Sequence, residues 1–188
     1  SPAMTISAKD SSDQDLNTGL TTNDLYINLI FTSSESTTNF DDTDISVSGG
    51  SLSEFGPASG SGGPSTTVYT AKLTPTGSGT AVTRATSVSV SGNTFTDAAG
   101  NNNSTSNQFN WTYDGIVPTI TGNSLAADNS TISVTFSEAV YNTSSGSGSL
   151  ETTDFTLSSS GGNASLSSST PSSISASGNT YTLGISLS

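Results

Sequence analysis

The stretch LYINLIF, Leu25 to Phe31, places Leu25, Ile27, Leu29 and Phe31 on one side of an extended chain. Successive side chains of a strand point to opposite faces, so large apolar residues at every second position describe a strand with one face in a core. The same period recurs in Phe109, Trp111 and Tyr113, which alternate with Gln108, Asn110 and Thr112, and again in Ile132, Val134 and Phe136. No convincing helical period is found. Clusters of Gly, Asn and Ser punctuate the runs as turns, and Thr suits strands. The pattern reads as an antiparallel all-β protein.

Composition narrows the chemistry. Ser and Thr supply 72 of the 188 residues and the hydrophobic fraction is 30%, a range in which disorder has to be considered. A disordered Ser/Thr tract has no reason to keep period two, so the alternation decides for a folded chain. With no His and no Cys, imidazole bases, thiol nucleophiles, zinc, haem and iron–sulfur ligation and disulfides are all excluded. Any metal must be held by oxygen. Three basic residues (Lys9, Lys72 and Arg84) against 15 acidic ones give a net charge of −12, which repels phosphate backbones and anionic lipid. No transmembrane or signal segment is read in the sequence. A chain that opens on Ser1 is expected to be an internal piece of something longer, and absence of cysteine is compatible with export.

The chain repeats itself in order. FTSSE (Phe31 to Glu35) returns as FSEA (Phe136 to Ala139), and FDDTDISVSGGSLS (Phe40 to Ser53) returns as LETTDFTLSSSGGNASLS (Leu150 to Ser167). TVYTAKLTP (Thr67 to Pro75) returns as NTYTLGISLS (Asn179 to Ser188), and SPAMTI at Ser1 resembles VPTITG at Val117. Two units, 1–115 and 116–188, are expected, the second lacking counterparts of about Gly77 to Asp114 and hence its last two strands. Strand candidates in the first unit are Met4 to Lys9, Asp24 to Thr32, Asp44 to Ser48, Ser51 to Phe55, Thr66 to Thr74, Ala85 to Phe95 and Gln108 to Asp114. Seven short strands with frequent turn signals fit a Greek-key, immunoglobulin-like sandwich. Its core is expected from Leu25, Ile27, Leu29, Phe31, Ile45, Val47, Tyr69, Leu73, Val88, Val90, Phe95, Phe109, Trp111 and Tyr113.

SPAMTI, FTSSE, FDDTDISVSGGSLS, TVYTAKLTP and, most specifically, FTDAAGNNN and WTYDGIVPTI together resemble the bacterial Ig-like repeats of large, acidic, cysteine-free surface proteins and RTX-type adhesins. LAADNSTISVTFSEAVYN looks like a related variety of the same repeat. The resemblance implies a β-sandwich bead in an extracellular stalk or adhesin, frequently rigidified by calcium, and no catalysis.

Topology gives the acidic residues a reading of their own. Seven strands alternating up and down place chain entrance and exit at opposite ends. The second and sixth loops then meet at the entrance, bringing Glu35 near Asp97 and Asn101. The first loop meets the exit, where Asp10 is a candidate to approach Asp114, together with the weaker Asp13, Asp15 and Asp24. At the junction, Asp114 is expected to face Glu138, the counterpart of Glu35. Calcium takes six to eight oxygens, and carboxylates from two loops and a linker suit it. The competing account is that Asp and Asn simply cap turns, with DAAGNNN an ordinary turn.

Other constellations carry less. FDDTD resembles the start of an EF-hand but lacks its glycine and distant Glu. Paired carboxylates have no visible sugar cleft, serines have no base to activate them, and the GGPS and SGSG glycines lack a following GK. Six N-x-S/T triplets, at Asn102, Asn103, Asn110, Asn129, Asn142 and Asn163, match chance in so hydroxyl-rich a chain. Neither Lys9 nor Lys72 sits in a recognisable cross-linking motif. The leading expectation is a calcium-stiffened stalk repeat whose partners are neighbouring repeats and, through a distal domain, a cell-surface or glycan ligand. The alternative is a carbohydrate-binding sandwich using Phe109, Trp111 and Tyr113 as a stacking platform.

Overall fold

The computed structural model describes residues 1–58, 66–143, 146–161 and 163–188, arranged in two compact units, Ser1–Ile116 and Val117–Ser188. The GGPS glycines lie outside the described residues. In chain order the strands of unit 1 are β1 (Met4–Lys9), β2 (Asp15–Leu16), β3 (Thr21–Thr22), β4 (Ile27–Thr37), β5 (Ile45–Ser48), β6 (Gly50–Pro57), β7 (Thr66–Pro75), β8 (Thr83–Val90) and β9 (Phe109–Asp114). They form one sheet in the order β2-β1-β4-β7-β6 and a second in the order β3-β9-β8-β5. Each neighbouring pair is antiparallel except β3 with β9. Leaving aside the two-residue β2 and β3, this is the four-plus-three partition of an immunoglobulin-like sandwich.

One core lies between the sheets. Met4, Ile6 and Ala8 of β1, Ile27, Leu29 and Phe31 of β4, and Tyr69, Ala71 and Leu73 of β7 face Ile45, Val88, Val90, Phe109, Trp111 and Tyr113 of the other sheet, all buried. Phe40 stands at the centre of an aromatic cluster, its ring centroid 5.1 Å from those of Tyr69 and Phe95, 5.5 Å from Phe55 and 5.8 Å from Phe31. Such tilted and edge-on contacts suit the ring quadrupoles. Gly49, between β5 and β6, has φ +76°, and a Cβ there would sit 2.1 Å from the Ala85 carbonyl oxygen. Only glycine allows the chain to cross from one sheet to the other so close to β8.

Two expectations need correction. Leu25 is 55% exposed, because the ladder of β4 begins only at Ile27. The preceding segment is instead fastened by its backbone, the Leu25 carbonyl accepting from Ser78 Oγ at 2.6 Å. β8 ends at Val90 rather than at Phe95, since Asn93 turns with φ 65°; Phe95 is nevertheless buried. Val47 is half-buried.

Unit 2 contains β10 (Ile120–Leu125), β11 (Thr131–Phe136), β12 (Ile174–Ser177) and β13 (Thr180–Gly184), in one sheet of order β10-β11-β13-β12. Its pairings, Leu125 with Ile132, Ile132 with Leu183 and Leu183 with Ile174, line up apolar residues across all four strands. The opposite face is Ser124, Ser133, Thr182 and Ser175 at the adjacent positions. The two units also share a local device. In unit 1 a 3-10 turn, Asp42–Asp44, follows Asp41, and in unit 2 another, Thr152–Asp154, follows Glu151. The Asp44 carboxylate accepts from the Asp41 N–H at 3.0 Å, and that of Asp154 from the Glu151 N–H at 2.7 Å. FDDTD is thus a capped turn, with Asp41 further accepting from Thr43.

Truncating Trp111 or Phe31 to Ala should cost about 3–5 kcal/mol in urea unfolding, whereas Leu25→Ala should stay within about 0.5 kcal/mol of the parent. A large loss at Leu25 would contradict the placement of its side chain in solvent.

Candidate functional site

The strand directions collect loops at each end of unit 1. β1 runs from a proximal to a distal end and β4 returns, so Ser1, the segment after β4 and the β8–β9 connection share the proximal end. Backbone pairing fixes the meeting: the Ser34 N–H donates to the Ala3 carbonyl at 2.9 Å, and the Ser104 N–H to the Pro2 carbonyl at 3.0 Å. The Asn107 side chain continues the seam, accepting from the Ile6 N–H at 2.7 Å and donating to the Ile6 carbonyl at 2.9 Å. One amide therefore acts as a strand partner for β1 on the edge turned from β4.

Asn103 organises the β8–β9 connection. Its Oδ1 accepts from the backbone N–H groups of Thr94, at 2.8 Å, and Phe95, at 3.0 Å. Its Nδ2 donates to the carbonyls of Ser91, at 2.8 Å, and Ser104, at 3.0 Å. At 3% exposure nothing else replaces these bonds. Asn39 ties the neighbouring loop to this one, its Oδ1 accepting from the Thr96 N–H at 3.1 Å. None of Asn39, Asn103 or Asn107 was marked by sequence; Asn103 appears there only as one of the chance triplets.

On this frame stand Glu35, Asp97 and Asn101. Asp97 Oδ1 accepts from the N–H groups of Ala99, at 2.9 Å, and Asn101, at 2.8 Å, while Oδ2 accepts from Asn101 Nδ2 at 2.9 Å. Its side chain is only 5% exposed, and Oδ2 lies 3.9 Å from the Ser1 nitrogen. Glu35 Oε1, from β4, lies 3.4 Å from the same nitrogen. Carboxylates from two separate segments thus come to the same point of the proximal end, the backbone nitrogen of Ser1. The Asn101 side-chain amide, followed by its backbone N–H, holds the Asp97 carboxyl below the ordinary carboxylate range, against a smaller opposing effect of desolvation.

The remaining candidates do not join a cluster. Asp10 caps the turn after β1, its Oδ1 accepting from the Ser12 and Gln14 N–H groups at 2.8 Å each. Asp13 and Asp15 lie 3.4 and 3.6 Å from Lys9 Nζ, and Asp24 is engaged by Ser11. Asp114 Oδ1 accepts from Thr83 Oγ1 and the Ile116 N–H, both at 3.1 Å. No contact between Asp10 and Asp114 accompanies these bonds. Glu138, in unit 2, has a buried Oε1 without a hydrogen-bond partner among the described residues. Among those residues no three acids are grouped to hold a metal by themselves.

The aromatic row faces inward. Trp111 Nε1 donates to Thr22 Oγ1 at 3.0 Å, and the Tyr113 hydroxyl accepts from the Gly79 N–H at 3.0 Å, both rings being buried. Core packing uses these faces, so they offer no stacking platform. No helix among the described residues is long and apolar enough to cross a membrane.

The two facing sheets and their end loops define an immunoglobulin-like β-sandwich domain. A family model for a bacterial Ig-like domain matches residues 1–113, and the chain belongs to that family. No curated protein and no solved structure matches the chain.

Asn103→Ala should lower stability by about 1–3 kcal/mol or more by leaving buried backbone groups unpaired, while Asn102→Ala, an exposed change, should be near neutral. Asp97 adds a pH signature. Because its folded pKa is lowered, its contribution is present above the ordinary carboxylate range, near pH 4, and is lost as pH falls through the lower folded value. Asp97→Asn should therefore flatten part of the acid limb of the stability profile; an unchanged limb would show that the charge contributes nothing.

Proposed function

We propose that this chain is a non-enzymatic structural repeat of an extracellular surface adhesin, stiffened by calcium at its domain ends and junctions, that holds a binding domain away from the cell. Its partners are neighbouring repeats, and contact with a cell-surface or glycan ligand belongs to a distal domain. The observation that supports the calcium reading is that Glu35 of β4 and Asp97 and Asn101 of the β8–β9 connection, from two separate segments, come together beside the Ser1 backbone at the proximal end. Glu35, Asp97 and Asn101 would hold the ion there, and carbonyls and water would complete the six to eight oxygens calcium takes. The buried Oε1 of Glu138, without a hydrogen-bond partner among the described residues and the counterpart of Glu35 in the repeat, gives the same reading support in unit 2; Asp114 and Asp10 are further proposed ligands. A net charge of −12 supplies the electrostatic reason for a divalent counterion.

A bound ion that favours the folded state raises stability by about 2.7 kcal/mol at a hundredfold excess over its dissociation constant. Calcium should accordingly raise the melting temperature of the chain, magnesium less so, and Asp97→Ala should remove the proximal part of that increase. Asp114→Ala should abolish any narrowing of the inter-unit angle seen by solution scattering while leaving unit 1 folded. Absence of calcium binding through the millimolar range would reduce the carboxylates to turn caps and the protein to a passive spacer.

A further inference from the structure

The segment DGIVPT, Asp114 to Thr119, leads from β9 to β10, and its glycine is the residue that backbone freedom alone would choose as a hinge. The surroundings of Gly115 give it the opposite part. β9 ends with Asp114 paired to Thr83. Beyond it the Gly115 N–H donates to the Val82 carbonyl at 2.9 Å. The Ile116 N–H donates to Asp114 Oδ1 at 3.1 Å, and the same oxygen accepts from Thr83 Oγ1. Gly115 does not adopt a left-handed φ, so no torsion demands glycine there. Space does: a Cβ would run into the Thr80 carbonyl oxygen and the Tyr113 hydroxyl.

The loop that encloses Gly115, residues 76–82, is itself held on several sides. The Tyr113 hydroxyl, on a buried ring, accepts from the Gly79 N–H at 3.0 Å and donates to the Thr80 carbonyl at 3.3 Å. Ser78 Oγ donates to the Leu25 carbonyl, the Thr76 N–H donates to the Gly49 carbonyl at 2.9 Å, and Val82 packs against the core. The chain is thereby fastened to unit 1 as far as Ile116. In unit 2 the fastening begins at Thr119, whose N–H donates to Ser137 Oγ at 2.9 Å and whose carbonyl accepts from the Ser137 N–H at 2.8 Å. Between the two, Val117 and Pro118 make no hydrogen bond among the described residues, and Val117 is 70% exposed.

Those two residues are stiff ones. The proline ring fixes φ near about −65°, and it pushes the residue before it into the extended region. That residue is the β-branched Val117. We propose that the linker is a stiff two-residue coupling: the 76–82 loop clamps Asp114 to Ile116 onto unit 1, Thr119 is tied to unit 2, and only Val117 and Pro118 turn, over a restricted range. The direction in which unit 1 sends the chain onward is then set by the protein alone. It needs no bound ion, and the glycine that looks like the pivot is the residue that lets the clamp close.

The test uses the whole 188-residue chain in EDTA, so that its outcome is separate from that of the calcium reading. The chain has no Cys, so spin labels at Ser53→Cys and Ser175→Cys, both exposed and one on each unit, report the spread of a single distance by double electron–electron resonance. The double change Val117→Gly and Pro118→Gly, in the unbonded segment, should widen that spread at least about twofold. In the unlabelled parent, hydrogen exchange at the Gly115 and Ile116 amides should be slowed at least about tenfold from their unstructured rates, with Val117 close to its own. Gly115→Ala should lose that protection and widen the spread, while Gly122→Ala, where an added Cβ meets nothing closer than 3.9 Å, should change neither. A parent spread as wide as that of the double variant would overturn the proposal. So would Gly115 and Ile116 amides that exchange as freely as Val117, or a Gly115→Ala chain indistinguishable from the parent in both readings.

Discussion

The structure depends on a single constraint: with so few large apolar side chains, those of the central strands must lie on the inner face of a sheet, and that face must be covered. Period-two alternation satisfies the first half of that requirement strand by strand. Unit 1 satisfies the second by folding β5, β8 and β9 over β1, β4 and β7, which leaves most of its Ser and Thr residues outside the core, with Ser33, Thr37 and Thr86 as buried exceptions. A slip of one residue in any central strand would exchange the two faces wholesale, so register is strongly determined despite the low complexity of the sequence.

Around that core, side-chain amides do the work that disulfides or larger cores do elsewhere. Asn103 closes the long β8–β9 connection, Asn39 links it to the loop after β4, and Asn107 extends the ladder of β1. Each makes bonds that water would otherwise make, so the net gain per bond is modest, but removing one strands several buried groups at once. The result is a proximal end on which the buried Asp97 carboxylate is fixed, with the half-exposed Glu35 side chain of β4 near the same backbone nitrogen, that of Ser1. Asp97 is held there by neutral groups, the Ala99 and Asn101 N–H groups and the Asn101 side-chain amide, so its placement is expected to survive whether or not a cation is present.

The two units express one plan to different extents. The capped 3-10 turn recurs with the same reciprocal bond, and the same sheet order recurs in β10 to β13. Among the described residues of unit 2, the inner face of that sheet buries Tyr181 and Leu183 and leaves Ile120 and Leu125 exposed.

By itself the sequence determined the all-β class, the seven main strands of unit 1 and twelve of the seventeen buried residues of its described core, Met4, Ile6, Ala8, Phe40 and Ala71 being the ones it did not mark, because alternation is a local signal that burial largely obeys. It also placed Glu35 beside Asp97, since counting strands is enough to sort loops between two ends. Tertiary structure alone decided the rest. Leu25 has the right parity but lies outside the ladder, and the short β3 beside β9 is stabilised by a neighbour distant in sequence. Asn103 and Asn107 look like any other Asn until the backbone groups they satisfy are brought to them. Whether a polar side chain is a turn former or a keystone depends on which buried N–H and C=O groups surround it, and no local pattern records that.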